Sequence, residues 1–175
     1  MKKLNLILFA CLGLLIARPL AAQENPSLTD EEVASVAVVA NQIDISYAEI
    51  AKQKSKDEAI LNFANTMAND HNAVIDQAVA LAKKLGVTPK DNAVSQQLQA
   101  DAEKTRTMLQ SKSGKQFNKA YIDNEVAYHK AVIQAVEGLL IPETENEELK
   151  TLLQNVLPAL KTHLEHAEMV QKSYN

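Results

Sequence analysis

Apolar residues recur along this chain at spacings of three and four, with no alternating run worth the name, and that period predicts helix after helix. The stretch "SLTDEE" offers Thr29 as an N-cap with Glu32 three residues on, so a first helix starts there and runs to about Lys54. A second is predicted from about Lys56 to Leu85, stopped by Gly86, with Pro89 in the loop "GVTPKD". Residues 92–111 form a shorter, more polar helix whose Val94, Leu98 and Leu109 give a thin apolar stripe, ended by Gly114. A fourth helix runs to about Gly138, the loop "LLIPETENE" follows, and a fifth begins near Thr144, where Glu147 completes a second capping pattern. Pro158 inside the fifth removes one backbone hydrogen bond and predicts a kink. Four long amphipathic helices, with short connections inside the first and last pairs, predict an all-α antiparallel four-helix bundle with the short helix as crossover.

Those apolar series also carry polar residues inward. Helix two reads Ile60, Phe63, Met67, His71, Val74, Ala78, Leu81, and helix four reads Ile122, Glu125, His129, Val132, Val136, Leu139. The last helix offers Leu153, Val156, Leu160, His163, Ala167 and Val170 with His166 flanking, and helix one puts Asp44 among Ala37, Ala40, Tyr47 and Ala51. Each long helix thus points an imidazole or a carboxylate at the core. With the first hairpin turning near residue 57, Asp44 and His71 fall in one layer, at about 1.5 Å of rise per residue. The second hairpin is less obliging: with helix four ending near Leu139, the residue level with His129 is near Asn155, and His163 lies about 12 Å too far along. Asp70 is one position from His71 and so about 100° away on the helix, which makes it a supporting partner or a surface residue rather than a second ligand.

The chain has 175 residues, one cysteine, no tryptophan and a formal charge of −4. Lys2 and Lys3, an apolar run from Leu4 to Ala17 and the small-residue stretch "LAAQ" have the order of a secretory signal peptide, residues 1–22, with retention as an N-terminal anchor the alternative. Cys11 faintly suits a lipoprotein box, though the apolar run continues past it. Cleavage leaves residues 23–175 as one exported domain of the periplasm or outer membrane, with no membrane-spanning stretch. It removes three of 18 cations against 22 acids, for a charge of −7. Nucleic acid is excluded as a partner, and without cysteine so are a disulfide scaffold, a thiolate metal site and a cysteine nucleophile. No glycine-rich elbow, phosphate loop or dinucleotide fingerprint is present.

The segments "FANTMANDH", "FNKAYIDNEVAYH" and "LPALKTHLEHAEMV", in this order, resemble a bacterial secreted ferritin-like family of unknown function whose members are often labelled predicted outer-membrane proteins. The resemblance spans roughly residues 30–172 and implies a ferritin-like bundle outside the cytoplasm, with Asp70, His71, His129 and His163 at characteristic polar positions. Asp44 falls where the family usually has glutamate, which shortens the reach of helix one. Three positions before His71, His129 and His163 stand Ala68, Val126 and Leu160, so the Glu-x-x-His signature of di-iron oxidases is missing and an enzyme of that kind is disfavoured. Two readings remain. His71, His129 and His163 with Asp44 or Glu125 suit a single zinc, copper or iron ion. Alternatively the histidines only organise the core of a structural or partner-binding envelope protein. Imidazole must be neutral to coordinate, so an ion held this way should be lost by about pH 5.

Overall fold

The computed structural model describes residues 27–174, which contain no strand; the signal-peptide reading of residues 1–22 and Cys11 lie outside them. The helices are α1 (Asp30–Lys54), α2 (Glu58–Leu85), α3 (Ala93–Gln110), α4 (Gly114–Ala135), a short α5 (Ile141–Glu143) and α6 (Glu147–Gln171), with a 3-10 turn at Lys172–Tyr174. No helix among the described residues is long and apolar enough to cross a membrane. Hairpin partners α1 and α2 pack along each other, as do α4 and α6, and the pairs meet through α2 with α6 and α1 with α4.

Local chemistry explains the boundaries. Glu32 N–H donates to Thr29 Oγ1 and Thr29 N–H to Glu32 Oε2, the reciprocal cap expected for α1. At the far end of α2, Gly86 takes the left-handed φ of 67° that closes a helix at little cost for glycine alone. The α2–α3 loop is then clamped to the start of α1, since Lys90 N–H donates to Glu31 O and Asn92 Nδ2 to Glu32 O. α3 lies on α1 and buries only Ser95, Ala102 and Leu109, in keeping with its thin stripe. Because α1 is packed by α2, α3 and α4, it is buried on a broad arc, and its periodicity therefore points to no single face.

The second hairpin departs from the sequence-based layout. Helix four does not end near Leu139: Val136–Leu140 forms a π-helical turn and α5 carries the coil on to Glu143. The cap of α6 is Asn146, whose Oδ1 accepts from Glu148 N–H and Leu149 N–H, and not Thr144, whose hydroxyl turns back to Leu140 O. Asp30 at the head of α1 accepts from Glu145 N–H and Asn146 N–H, and Leu28 N–H donates to Glu143 Oε2, tying this turn to the start of the bundle. α6 continues through Pro158, which sits on an exposed face beside Gln154, the residue whose carbonyl loses its partner.

Two apolar clusters fill the interior. One, toward the α1–α2 turn, includes Ile43, Tyr47, Phe63, Met67, Ile122, Val126 and Ala167. The other, toward the α5–α6 turn, includes Val33, Val36, Ile133, Val136, Leu153 and Leu160. Between Val126 and Ile133 on α4 and between Leu160 and Ala167 on α6, where one cluster gives way to the other, runs a layer that is not apolar, and it takes in Asp44 beside Ile43 on α1 and Glu125 beside Val126 on α4.

Candidate metal centre

That layer holds Asp44, His71, Glu125, His129 and His163, all buried, three of the protein's four histidines among them. The imidazoles form a near-equilateral triangle with ring centroids 5.8 Å apart for His71 and His129, 5.3 Å for His71 and His163, and 5.6 Å for His129 and His163. One nitrogen from each lies within 4.8 Å of the others. His163, which stepping along the sequence puts about 12 Å out of register, is in the triangle because the coil after His129 runs on to Glu143. The hairpin then turns near Glu145, which makes the residue level with His129 fall near Lys161. Asp44 and His71 share the layer as their spacing predicts, with Asp44 Oδ2 3.4 Å from His71 Nε2 and 3.6 Å from His129 Nε2.

Each ring is held from outside by an acceptor. His71 Nδ1–H donates to Asn41 Oδ1 at 2.7 Å, and Asn41 is itself oriented by its amide's bond to Ala37 O at 2.8 Å. His129 Nδ1–H donates to the Glu125 carbonyl one turn back at 3.0 Å. His163 Nε2–H donates to Asp70 Oδ2 at 2.9 Å. Acceptors of this kind fix the proton on the outer nitrogen and leave the inner nitrogen a bare lone pair. The inner nitrogens, His71 Nε2, His129 Nε2 and His163 Nδ1, are buried and make no hydrogen bond, and neither do the carboxylate oxygens of Asp44 and Glu125. Each such atom costs about 1–3 kcal/mol when left unpartnered. Asp70 is the outward partner its helix position implies: its side chain is half exposed while His163 is buried.

Electrostatics follow from burial. It lowers His71 to about 3, helped by the nearby His129 and His163, and lowers His129 to about 4, against the pull of the Glu125 carbonyl. Burial likewise pushes the Asp44 carboxyl up to about 8 and, together with the Asp44 charge, holds Glu125 well above the carboxylate range. His71 and His129 are thus neutral ligands at any ordinary pH, while Asp44 can ionise near neutrality when a cation arrives. Three imidazoles and one carboxylate in a buried layer match the donor set of zinc, copper or non-haem iron. A second cluster, Asp44, Glu125 and His129, shares two of these residues.

Not every polar residue joins. His166 is half-buried against the Phe63 ring, with centroids 5.1 Å apart, and takes no part in the triangle. Sequence reasoning missed Asn41, because an asparagine on a helix carries no ligand signal of its own; only its position level with His71, 15 residues on the other side of residue 56, points to it. It also missed Tyr128, whose hydroxyl donates to Ala40 O at 2.8 Å and whose ring meets Tyr47 edge-on beside the centre.

Residues 16–170 match a family described as a domain of unknown function, DUF4142. No curated protein matches the sequence. Among solved structures, the fold is similar to "CopM in the Cu(II)-bound form", with a TM-score of 0.64 and 13% identity over 86% of this chain and all of that one. At that identity the likeness is one of fold.

Proposed function

The chain belongs to the DUF4142 family of domains of unknown function, and we propose that it is an exported, non-catalytic metal-binding bundle of ferritin-like, up-and-down architecture. It takes one transition-metal ion, copper first and zinc or iron next, on His71, His129 and His163. Asp44 is the fourth ligand, and Glu125 lies beside His129 as a reserve acid. One observation carries this reading: three inward nitrogens, stripped of protons by outside acceptors, converge without hydrogen-bond partners in a buried layer. The solved relative's bound Cu(II) favours copper among the ions this donor set accepts. A signal-peptide order at residues 1–22 supports export to the periplasm or outer membrane, where free metal would be met. When bound, the ion would supply a positive charge that Asp44 offsets in part, while the three imidazoles would give it lone pairs. The residues around it orient the rings.

Metal analysis of protein purified without an affinity tag, followed by thermal melts, tests the reading. An ion that binds only the folded state stabilises it by RT ln(1 + [L]/Kd), about 2.7 kcal/mol at a hundredfold excess. For a chain of this size the melting temperature should rise by about 5 °C or more. His71→Ala, His129→Ala and His163→Ala should each abolish the shift, whereas His166→Ala should leave it. If copper, zinc and iron all leave the unmutated protein's melt unchanged, the histidines are core organisers and the metal reading fails.

A further inference from the structure

Past His71, the inner face of α2 continues with Val74, Ala78 and Leu81, and the period that buries Phe63 and Met67 should bury these too. They are only half-buried; the buried residues of α2 stop at His71. Together with Ala37 on α1, Val132 on α4 and Val156 on α6 they line a cavity of about 870 Å³ that reaches His71, His129, His163 and Asp44. Interiors are close-packed, and a space this large is the size of a small-molecule site, about 300–1,000 Å³. It is elongated: from His71 to Leu81 the helical rise covers about 15 Å. Apolar side chains dominate its length; the buried polar atoms gather at one end, in the histidine layer, while Asp30, Glu31, Lys83 and Asn146 rim the other. Exposed Lys83 and Pro89 also line it, so solvent reaches it.

The chemistry of that polar end selects the ligand. A divalent ion on three neutral imidazoles and one ionised Asp44 keeps a net charge of +1 in a buried setting, where charge complementarity is strongest. A single anionic oxygen head would cancel it. The half-buried and exposed acids that share the lining, Asp30, Glu31, Asp70 and Asp101 against Lys83, repel multiply charged anions, and those at the surface are screened within about 8–10 Å. We propose that the slot takes the chain of a single-chain carboxylate amphiphile, a fatty acid in chemical class, with its carboxylate completing the coordination of the ion on His71, His129 and His163. This inference rests on the metal reading.

Calorimetric titration of the full chain, copper-loaded and metal-free, with dodecanoate, dodecanol and dodecylammonium below their micelle concentrations, tests it. One dodecanoate should bind per copper-loaded chain, at least tenfold more tightly than either other compound. Affinity should fall about fourfold for each methylene removed from dodecanoate to octanoate. The Cu(II) paramagnetic resonance spectrum should change on addition of dodecanoate and not of dodecanol. Ala78→Phe, which narrows the slot, should weaken dodecanoate at least tenfold with copper stoichiometry unchanged; the chain-length series covers the case in which that variant misfolds. Copper that loads without dodecanoate binding, a preference for dodecylammonium, an unchanged copper spectrum, or a dimer that closes the slot overturns the inference alone. Failure of copper to load overturns the metal reading and the head placement with it.

Discussion

Asn41 and Asp70 never face an ion, yet they decide which nitrogens do. Each accepts from the outer N–H of a histidine, and removing such a partner lowers metal affinity about 10–100-fold in comparable sites. Asn41→Ala and Asp70→Ala should therefore weaken copper by that range in a competition titration while the far-UV spectrum stays helical. A loss of helix instead would mean that the pair serves folding alone. Protonation sharpens the picture. From sequence, proton competition belongs to the imidazoles and should expel metal by about pH 5; in the fold His71 and His129 lie near 3 and 4, and the group that titrates near neutrality is Asp44. The signs oppose. Unfolded imidazoles take up protons near 6.5 while the buried ones do not, so these two groups lose stability as pH falls from about 6.5 toward 4. Asp44 stays protonated in the fold when its unfolded side chain has ionised above about 4, so the stability it lends is lost as pH rises through 8. Above pH 6.5 the buried carboxyls act, Asp44 together with Glu125, which burial also holds above the carboxylate range. Urea melts of metal-free protein should show stability declining between pH 6.5 and 8, by no more than about 1.4 kcal/mol per pH unit for each proton involved. Copper affinity should climb over the same interval, as the ion displaces that proton.

Single elements were legible to different depths. α1, α2 and the body of α3 follow from capping residues and periodicity, because Thr29, Gly86 and the apolar stripes each act locally; Gly114, expected to end α3, instead opens α4, and α3 stops at Gln110. The π-helical turn at Val136–Leu140 is invisible to the same reasoning. Gly138 in "VEGLL" reads as a stop where the coil in fact continues, and only packing against α6 and the clasp at Asp30 show where it ends. That one misplaced boundary is why His163 looked out of register with His129, although both had been singled out by face. Periodicity also cannot tell a packed position from one that borders a cavity, so Val74, Ala78 and Leu81 read as core while only Phe63, Met67 and their neighbours are. The contrast is testable by charge. Met67→Asp places an unpaired carboxylate where no solvent reaches and should cost several kcal/mol, about 3 or more, in chemical denaturation. Ala78→Asp, facing the water-accessible cavity, should cost less than half as much. Equal losses would show that the cavity closes in solution. A capping change gives a smaller scale: Asn146→Ala frees two N–H groups at the start of α6 and should cost about 1 kcal/mol.

For the whole molecule, the helical fold agrees with what the pattern of apolar residues announces, and the polar layer is what distinguishes this bundle from a plain one. It splits the interior into two apolar clusters that meet across a seam of titratable side chains. Cooperativity between halves depends on how well such a seam is knit, and metal-free, this one has five carboxyl and imidazole side chains with polar atoms lacking partners. The half toward the α5–α6 turn also borders the cavity, so it has fewer contacts to hold it shut. Its backbone amides should therefore exchange with deuterated solvent through partial openings that spare the other half, most rapidly in residues 74–85. Copper would stitch α2, α4 and α6 at one point and merge the two exchange classes into one, so the ion would be read out as a single cooperative unit along the length of the bundle.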